Sequence, residues 1–383
     1  MPYLLIALFS LCNLVIGTGA FIISGILPAA AQGLGVSVPA AGQAMTVYAL
    51  STALLAPVLL VLTGHWPRRW ALVGAMVVFT AGSALCAVAP SLPVLLVGRV
   101  LMGMGGVFMA AAAGIVVAVV PVAQRGKALA LVFMGMSMSY MIGLPLSSWL
   151  AEAQGWRAPQ WLVTACAALA ALALWRLVPR VVMAPVASLQ GLGAVLRRGP
   201  VAASLAITAL YFAAVFTVFS FIVLVLRALV PLSPAAVSLT LMLFGAAGLA
   251  GTLLGGYAND RYGPRTALTA HLTVLVLMML LLPLTAGQPL LMTAVLLLWG
   301  AAGFGMMAPQ QSRLAALAPA QTALLLSINS SMVYLGMAAG AGLGGLVAPV
   351  LGYARLSWVS ALLAMLALGL LLLERRAPKL QPA

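Results

Sequence analysis

Few residues in this chain of 383 have the means to do chemistry. The acids are Glu152, Asp260 and Glu374, the histidines His65 and His271, and eighteen lysines and arginines outnumber them. One of the cations, Arg99, lies six positions into an apolar run from Pro93 to Val120. A charge at depth in a bilayer costs about 2.5–3.5 kcal/mol even on lenient insertion scales, so it persists only opposite a partner or a wet cavity. Helical spacing sets Gly103, Gly106 and Ala110 on the face of Arg99, a smooth surface that admits close neighbours. Two placements fit: an anchor near the outer headgroups, or a guanidinium lining a transport path, where its planar fork of donors suits a carboxylate or a carbonyl-rich ligand. Arginine keeps its charge at any working pH, so it is no proton carrier. In a cavity its field favours neutral or anionic cargo over cations.

The other titratable group clearly inside an apolar run is His271, six residues beyond Arg265. An imidazole's ordinary pKa suits a proton switch, although packing near the interface is the plainer role. There is no Ser/His/Asp set, carboxylate pair or phosphate-binding Gly-Lys-Ser/Thr loop. Cys12, Cys86 and Cys166 lie in apolar stretches without metal-ligand or paired spacing. The expectation is therefore no enzyme, no cofactor, no metal site and no use of ATP by this chain.

These residues must be held by membrane-spanning helices. The chain is 65% hydrophobic and 5% charged, whereas a soluble globule is about a quarter charged. A net charge of +15 suggests nucleic acid, but the charges punctuate apolar runs instead of forming one basic face, so the partners expected are the lipid bilayer and a small-molecule substrate. The first run, Tyr3–Ala31, lacks a basic leader and reads as a span, not a removable signal.

Apolar runs predict spans at 4–30, 40–62, 70–89, 93–119, 127–150 and 158–178, then 201–229, 235–256, 266–286, 290–314, 321–348 and 355–373. The fold class is thus all-α, with twelve transmembrane helices in two six-helix halves, 1–178 and 201–383. A connector at 179–200 joins them, with a surface helix or an unstructured tether at Ser188–Leu196. Fourteen of the cations, including Arg68, Arg125, Lys127, Arg261 and Arg313, fall on one side, and Arg157, Arg227 and Arg355 on the other. Positive charge stays in the cytoplasm, which puts both termini there.

The halves repeat. Gly135, Ser139, Gly143 and Ser147 recur 201 residues on as Gly336, Gly340, Gly344 and Ala348, and Gly103 and Gly105 recur 200 on as Gly303 and Gly305. In that frame Trp299 stands where Arg99 does. Parallel halves related about the membrane normal are a transporter architecture, with a substrate site between them at mid-depth.

The loop Gly255-Gly256-Tyr257-Ala258-Asn259-Asp260-Arg261-Tyr262-Gly263-Pro264-Arg265 resembles the cytoplasmic Gly-x-x-x-Asp-Arg-x-Gly-x-Arg signature of the major facilitator superfamily. The resemblance implies a conformational latch in which Asp260 caps the next helix and pairs with an arginine. The corresponding first-half loop, Gly64-His65-Trp66-Pro67-Arg68-Arg69-Trp70, is shorter and has no acid. It looks like the arabinose-efflux-type branch of the drug:proton antiporters. Gly135 through Gly143-Leu144-Pro145 to Gly155-Trp156-Arg157 resembles the antiporter motif of exporters, with Gly143 and Pro145 as packing and hinge. The opening run Gly17-Thr18-Gly19-Ala20-Phe21 also looks like that branch, which carries a glutamate where Ala20 stands here.

Asn13, Gln43, Tyr48, Tyr140, Tyr211, Phe212, Gln310, Asn329 and Tyr334 lie inside spans and are candidates, with Arg99, to line a cavity. Each alone also fits a helix–helix hydrogen bond or an interface aromatic. With twenty methionines they suggest an adaptable, largely apolar site for amphipathic organic molecules. The function expected is a monomeric secondary transporter of the inner membrane, exporting a drug, sugar or metabolite by alternating access, with proton antiport and uncoupled facilitation both open. An uncoupled facilitator and a non-transporting membrane sensor or scaffold are the alternatives.

Overall fold

Serine and proline open the helices. Ser37 caps the second one, its hydroxyl accepting the Ala40 amide at 3.3 Å with a proline in the first turn, and Ser233 repeats the device on Ala236 at 3.3 Å. Such caps meet amides that have no partner within the helix. The computed structural model describes residues 2–121, 124–179 and 199–374; the side chains of Arg125 and Lys127, and the Ser188–Leu196 stretch of the connector, lie outside the described residues.

Among the described residues twelve helices are long and apolar enough to cross a membrane. Spans one to six are Tyr3–Gly33, Val38–Leu62, Arg68–Val88, Leu92–Val116, Ala128–Gln154 and Arg157–Leu177. Spans seven to twelve are Gly199–Phe219, Pro234–Tyr262, Pro264–Thr285, Pro289–Leu317, Leu324–Leu351 and Tyr353–Leu373. This is the all-helical, twelve-span fold read from the sequence. Because successive spans cross in opposite directions, the loops after spans two, four, six, eight and ten share one face, called the basic face below.

Several runs expected to be continuous are interrupted. Span four breaks at Gly105–Gly106, between segments Leu92–Met104 and Val107–Val119. Span seven stops at Phe219, and the rest of the 201–229 run resumes as a separate helix, Ile222–Leu229. Span five slips into a π-helical turn at Ser139–Gly143, closed by the Leu144 amide on the Ser139 carbonyl. Pro145 explains the slip: it has no amide to donate and its ring crowds the carbonyl one turn back.

The glycine ladders of the two halves do the same job. A Cβ on Gly135 would lie 3.0 Å from the Leu14 nitrogen, and one on Gly143 would lie 2.9 Å from the Thr18 Cβ, so span five rests directly on span one. Span eleven rests likewise on span seven: a Cβ on Gly340 would meet Ala213 Cα and Thr217 N at 2.9 Å, and one on Gly344 the Thr217 carbonyl at 2.6 Å. Lipid tails are as apolar as leucine, so close van der Waals packing of this kind is what drives helix association in a bilayer. Between the halves, span two packs along span eleven and span five along span eight. At the second contact a Cβ on Gly245 would be 2.6 Å from the Met141 nitrogen, within the π-turn.

Candidate functional site

Arg99 is fully buried. Its Nη1 and Nη2 donate to the Gly19 and Ala20 carbonyls of span one, both at 2.7 Å, and its Nε donates to the Ala44 carbonyl of span two at 3.0 Å. The guanidinium carbon lies 4.6 Å from the centre of the Tyr48 ring, and the Met102 and Met45 sulfurs are at 3.8 and 3.9 Å. Backbone dipoles, a π face and polarizable sulfur thus hold the charge. Ala20, at the place where the resemblance expects a glutamate, supplies its carbonyl instead. Both sequence placements need correction: Arg99 neither anchors at the headgroups nor lines an open path in this conformation, because its fork is already used within the first half.

At the centre of the inter-half contact four tyrosines come together. Tyr48 lies on span two beneath Arg99, Tyr140 in the π-turn, Tyr211 on span seven and Tyr334 on span eleven, and Tyr140 is within electrostatic reach of the other three. Tyr334 donates to the Met109 sulfur at 3.6 Å, joining spans eleven and four, while Tyr211 donates to the Gly303 carbonyl. Around them is a web of rings. Tyr140 has Phe21 at 4.2 Å, Phe304 at 4.5 Å and Phe219 at 5.5 Å between centroids. Phe21 also reaches Phe216 and Phe219 across the halves at 6.0 Å, Phe212 meets Tyr211 at 5.2 Å, and Phe244 meets Trp299 at 4.9 Å. Offset and edge-on rings at these separations attract one another beyond simple burial.

Burial is uneven across the web. Tyr140, Phe212, Phe304 and Tyr334 are half-buried, whereas Phe216, Phe219 and Phe221 are buried. Phe221, in the break after span seven, wedges between the halves: a Cβ on Gly42 would lie 2.9 Å from its ring, and one on Gly344 would lie 2.8 Å from it. Beyond it Arg227 pairs with Glu152, again across the halves and on the face opposite the basic one.

Other predicted residues have local partners. Asn13 donates to the Val132 carbonyl at 3.0 Å, a helix–helix bond. The Gln43 amide nitrogen lies 3.4 Å from where a Cβ of Gly345 would be, at the span two–eleven contact. Gln310 donates to the Ser204 carbonyl at 2.7 Å and to Thr208 at 2.8 Å, and Thr208 donates to Asn329 at 2.6 Å, which makes a buried polar network within the second half. His271 stands against Gly305, its Nε2 2.8 Å from where a Cβ would sit. It belongs to the packing of spans nine and ten.

The expected latch is built differently. Asp260 is exposed in the last turn of span eight and accepts from Asn259 at 3.0 Å; span nine begins at Pro264 with no side-chain cap. Gly263 makes the turn at φ +80°, a conformation that only glycine adopts freely. Neither the cap nor the ion pair expected of Asp260 forms: among the described residues the salt bridges are Arg227–Glu152 and Arg313–Glu374. Arg265 turns instead to the end of span twelve, donating to the Leu371 and Leu372 carbonyls at 3.0 and 3.3 Å. Gly256 has open space about it and Arg261 is exposed.

The sequence reading named the tyrosines but missed Phe21, Phe216, Phe219, Phe244, Trp299 and Phe304. The spacing of Phe212, Phe216 and Phe219, four and three residues apart, was the available signal for an aromatic face on span seven.

The sequence profile of the Major Facilitator Superfamily matches residues 9–321 and 231–383. The chain belongs to this superfamily. Transporters of the superfamily are similar along nearly its whole length. An uncharacterized MFS-type transporter of Bacillus subtilis, YbcL, is 32% identical over 377 residues, which cover 98% of this chain and 96% of that one. The Escherichia coli inner membrane transport protein YdhP is 33% identical over 363 residues, 94% of this chain and 93% of the relative. A chloramphenicol resistance protein of Streptomyces lividans is 31% identical over 295 residues, 76% and 75% of the two chains. Among solved structures, a bacterial homolog of the human lysosomal transporter Spinster, inward-facing and occupied, superposes with a TM-score of 0.77 at 18% identity, covering 97% and 96% of the chains. The human organic anion transporter MFSD10 gives 0.71 at 18% identity, covering 97% and 100%.

Proposed function

We propose that this superfamily member is an exporter of small uncharged organic compounds in the inner membrane, working by alternating access, with both termini and the basic face in the cytoplasm. The observation that carries the reading is the inter-half cluster of four phenols and seven further rings. It offers stacking surfaces and hydroxyls, and no carboxylate faces it. A cationic cargo would find no counter-charge there, and the fork of Arg99 is already occupied, which shifts the expectation of neutral or anionic cargo to neutral. Closure at Phe221 and Glu152–Arg227, with half-buried rings toward the basic face, supports a state ready to take cargo from the cytoplasm. The name of the Streptomyces relative supports efflux, and the short Pro-Arg-Arg loop supports the drug-exporter branch.

A proton-coupled form of this reading has one observation in its favour: Glu152 is the carboxylate shared between the halves, so its protonation from outside would release Arg227 and the closed face with it. Counterflow of labelled neutral compounds into liposomes carrying the purified chain tests the reading. Uptake above empty vesicles is expected, and its absence across a broad panel would leave the sensor or scaffold alternative. An imposed pH gradient then separates the two forms, because Glu152→Gln should remove a proton-driven component and leave an uncoupled one untouched.

A further inference from the structure

The repeat sets Trp299 where Arg99 stands, and the two differ in one respect. The Arg99 donors meet three carbonyls, whereas the indole Nε1 of Trp299, on a side chain without solvent exposure, has no hydrogen-bond partner. A buried donor left unpaired is unfavourable, and natural structures seldom keep one without a reason.

The space beside that donor is shaped by a missing side chain. A Cβ on Gly303 would lie 3.8 Å from Trp299 Nε1, 3.7 Å from its Cδ1 and 3.5 Å from the Tyr211 hydroxyl, all ordinary contact distances. The counterpart, Gly103, is filled: a Cβ there would be 2.7 Å from Ser51 Cβ and from the Tyr48 carbonyl. Its neighbour Gly300 is also closed, with the Phe244 carbonyl at 2.7 Å. Gly303 therefore leaves a notch with room for one small group, and Gly303 is half-buried, as is Phe304 beside it in the chain. Because Tyr211 already donates to the Gly303 carbonyl, the unmet group in the notch is the indole N–H. What completes it is an acceptor. The rings around the notch carry no charge, so that acceptor is uncharged.

We infer that the Gly303 notch is a cargo subsite in which Trp299 Nε1 donates to a neutral oxygen, such as a carbonyl, nitro or ether group, on a compound whose aromatic ring lies against Phe304. The inference rests on the transport reading above and adds the chemical class and the recognising donor. Recognition of this kind is selective, since a site built to bond a polar group loses that bond with an analogue lacking it.

Radiolabelled chloramphenicol, an uncharged nitroaromatic amide, is the probe. Its equilibrium binding is measured on the reconstituted full chain, on Trp299→Phe, which keeps a ring against Phe244 but has no N–H, and on Gly303→Val, whose first carbon has room and whose methyls fill the notch. Trp299→Phe should raise Kd about 5- to 10-fold, the scale of one hydrogen bond, and Gly303→Val should remove saturable binding. Gly303→Val tests the notch even where Trp299→Phe folds poorly. A Trp299→Phe protein of wild-type melting temperature that binds within twofold of wild type overturns the inference, as does a wild type that shows no saturable binding. Counterflow of a panel of other uncharged compounds runs in parallel: vesicles that move one of these while chloramphenicol ignores both substitutions keep transport and lose the notch, whereas vesicles that move no uncharged compound lose both.

Discussion

Arg99 gives the most decisive stability test, because its surroundings reverse the usual ranking of conservative substitutions. Three charge-assisted hydrogen bonds hold it, at 2.7, 2.7 and 3.0 Å. Each such bond contributes about 1.5–3 kcal/mol, set against about 2.5–3.5 kcal/mol for placing the charge at depth. Methionine has a similar length, and Met45 and Met102 already touch the site. Its introduction removes bonds and penalty together and orphans nothing, since the Gly19, Ala20 and Ala44 carbonyls lie inside helices and keep their intrahelical amides. Lysine keeps the full charge on a shorter stem, cannot reach three carbonyls in two helices at once, and leaves an under-bonded buried ammonium, a defect on the order of 3–5 kcal/mol. Arg99→Met should therefore unfold above Arg99→Lys by at least about 3 °C, at about 2–4 °C per kcal/mol for chains of moderate size. Both are compared with wild type in one detergent at one scan rate, since membrane-protein melting is commonly irreversible. Lysine equal to or above methionine would refute the carbonyl-cage account and return Arg99 to a wet environment.

The remaining predictions concern packing and topology. Gly135→Ala should destabilise by about 1–3 kcal/mol by pushing span five off span one, whereas Gly369→Ala, which meets nothing within 4 Å, should be neutral or slightly stabilising; thermal melts of the pair decide it. Arg265→Ala should lower stability by about 1–2 kcal/mol through loss of its bonds to the end of span twelve, while Asp260→Asn, at a carboxylate that accepts from Asn259, should leave counterflow rates within about twofold; a large loss from Asp260→Asn would show that the latch forms in another conformation. In a background without Cys12, Cys86 and Cys166, cysteine at 355 should react with an impermeant thiol reagent from outside the cell and cysteine at 261 should not, and the reverse pattern would invert the proposed orientation.

The twelve spans were legible because length and apolar composition alone fix them, and the repeat was legible because glycine ladders are strict about spacing: a methyl at Gly135 or Gly340 collides with a neighbouring backbone. The interruptions were not. At Ser139–Gly143 the cause, Pro145, was visible, but a π-turn and a plain kink relieve the same proline and the sequence does not choose between them. The tyrosines could be nominated one by one, yet their convergence depends on the pairing of span two with eleven and five with eight. Arg99 misled for a physical reason: a charge in an apolar run calls for a partner, and backbone carbonyls, which every residue has, leave no mark in the sequence. Asp260 misled in the opposite way, since a motif shows which residues are present but not which of several conformations bonds them.

The π-turn has a mechanical consequence. Position 346, the repeat equivalent of Pro145, is a leucine, and span eleven runs as an unbroken α-helix from Thr322 to Leu351. The two helices that rest on spans one and seven are therefore not equivalent as levers: one is a rod, the other has a wider, five-residue turn at mid-depth. That turn sets everything beyond it about 100° from its place in a regular helix, including Glu152, which reaches Arg227 of the opposite half. Winding those five residues into a regular α-helix would swing Glu152 away from its partner, whereas deleting one of them would straighten the helix and leave Glu152 facing Arg227. Motion of span five can thus be taken up by winding and unwinding a single turn, while span eleven has no such turn to wind.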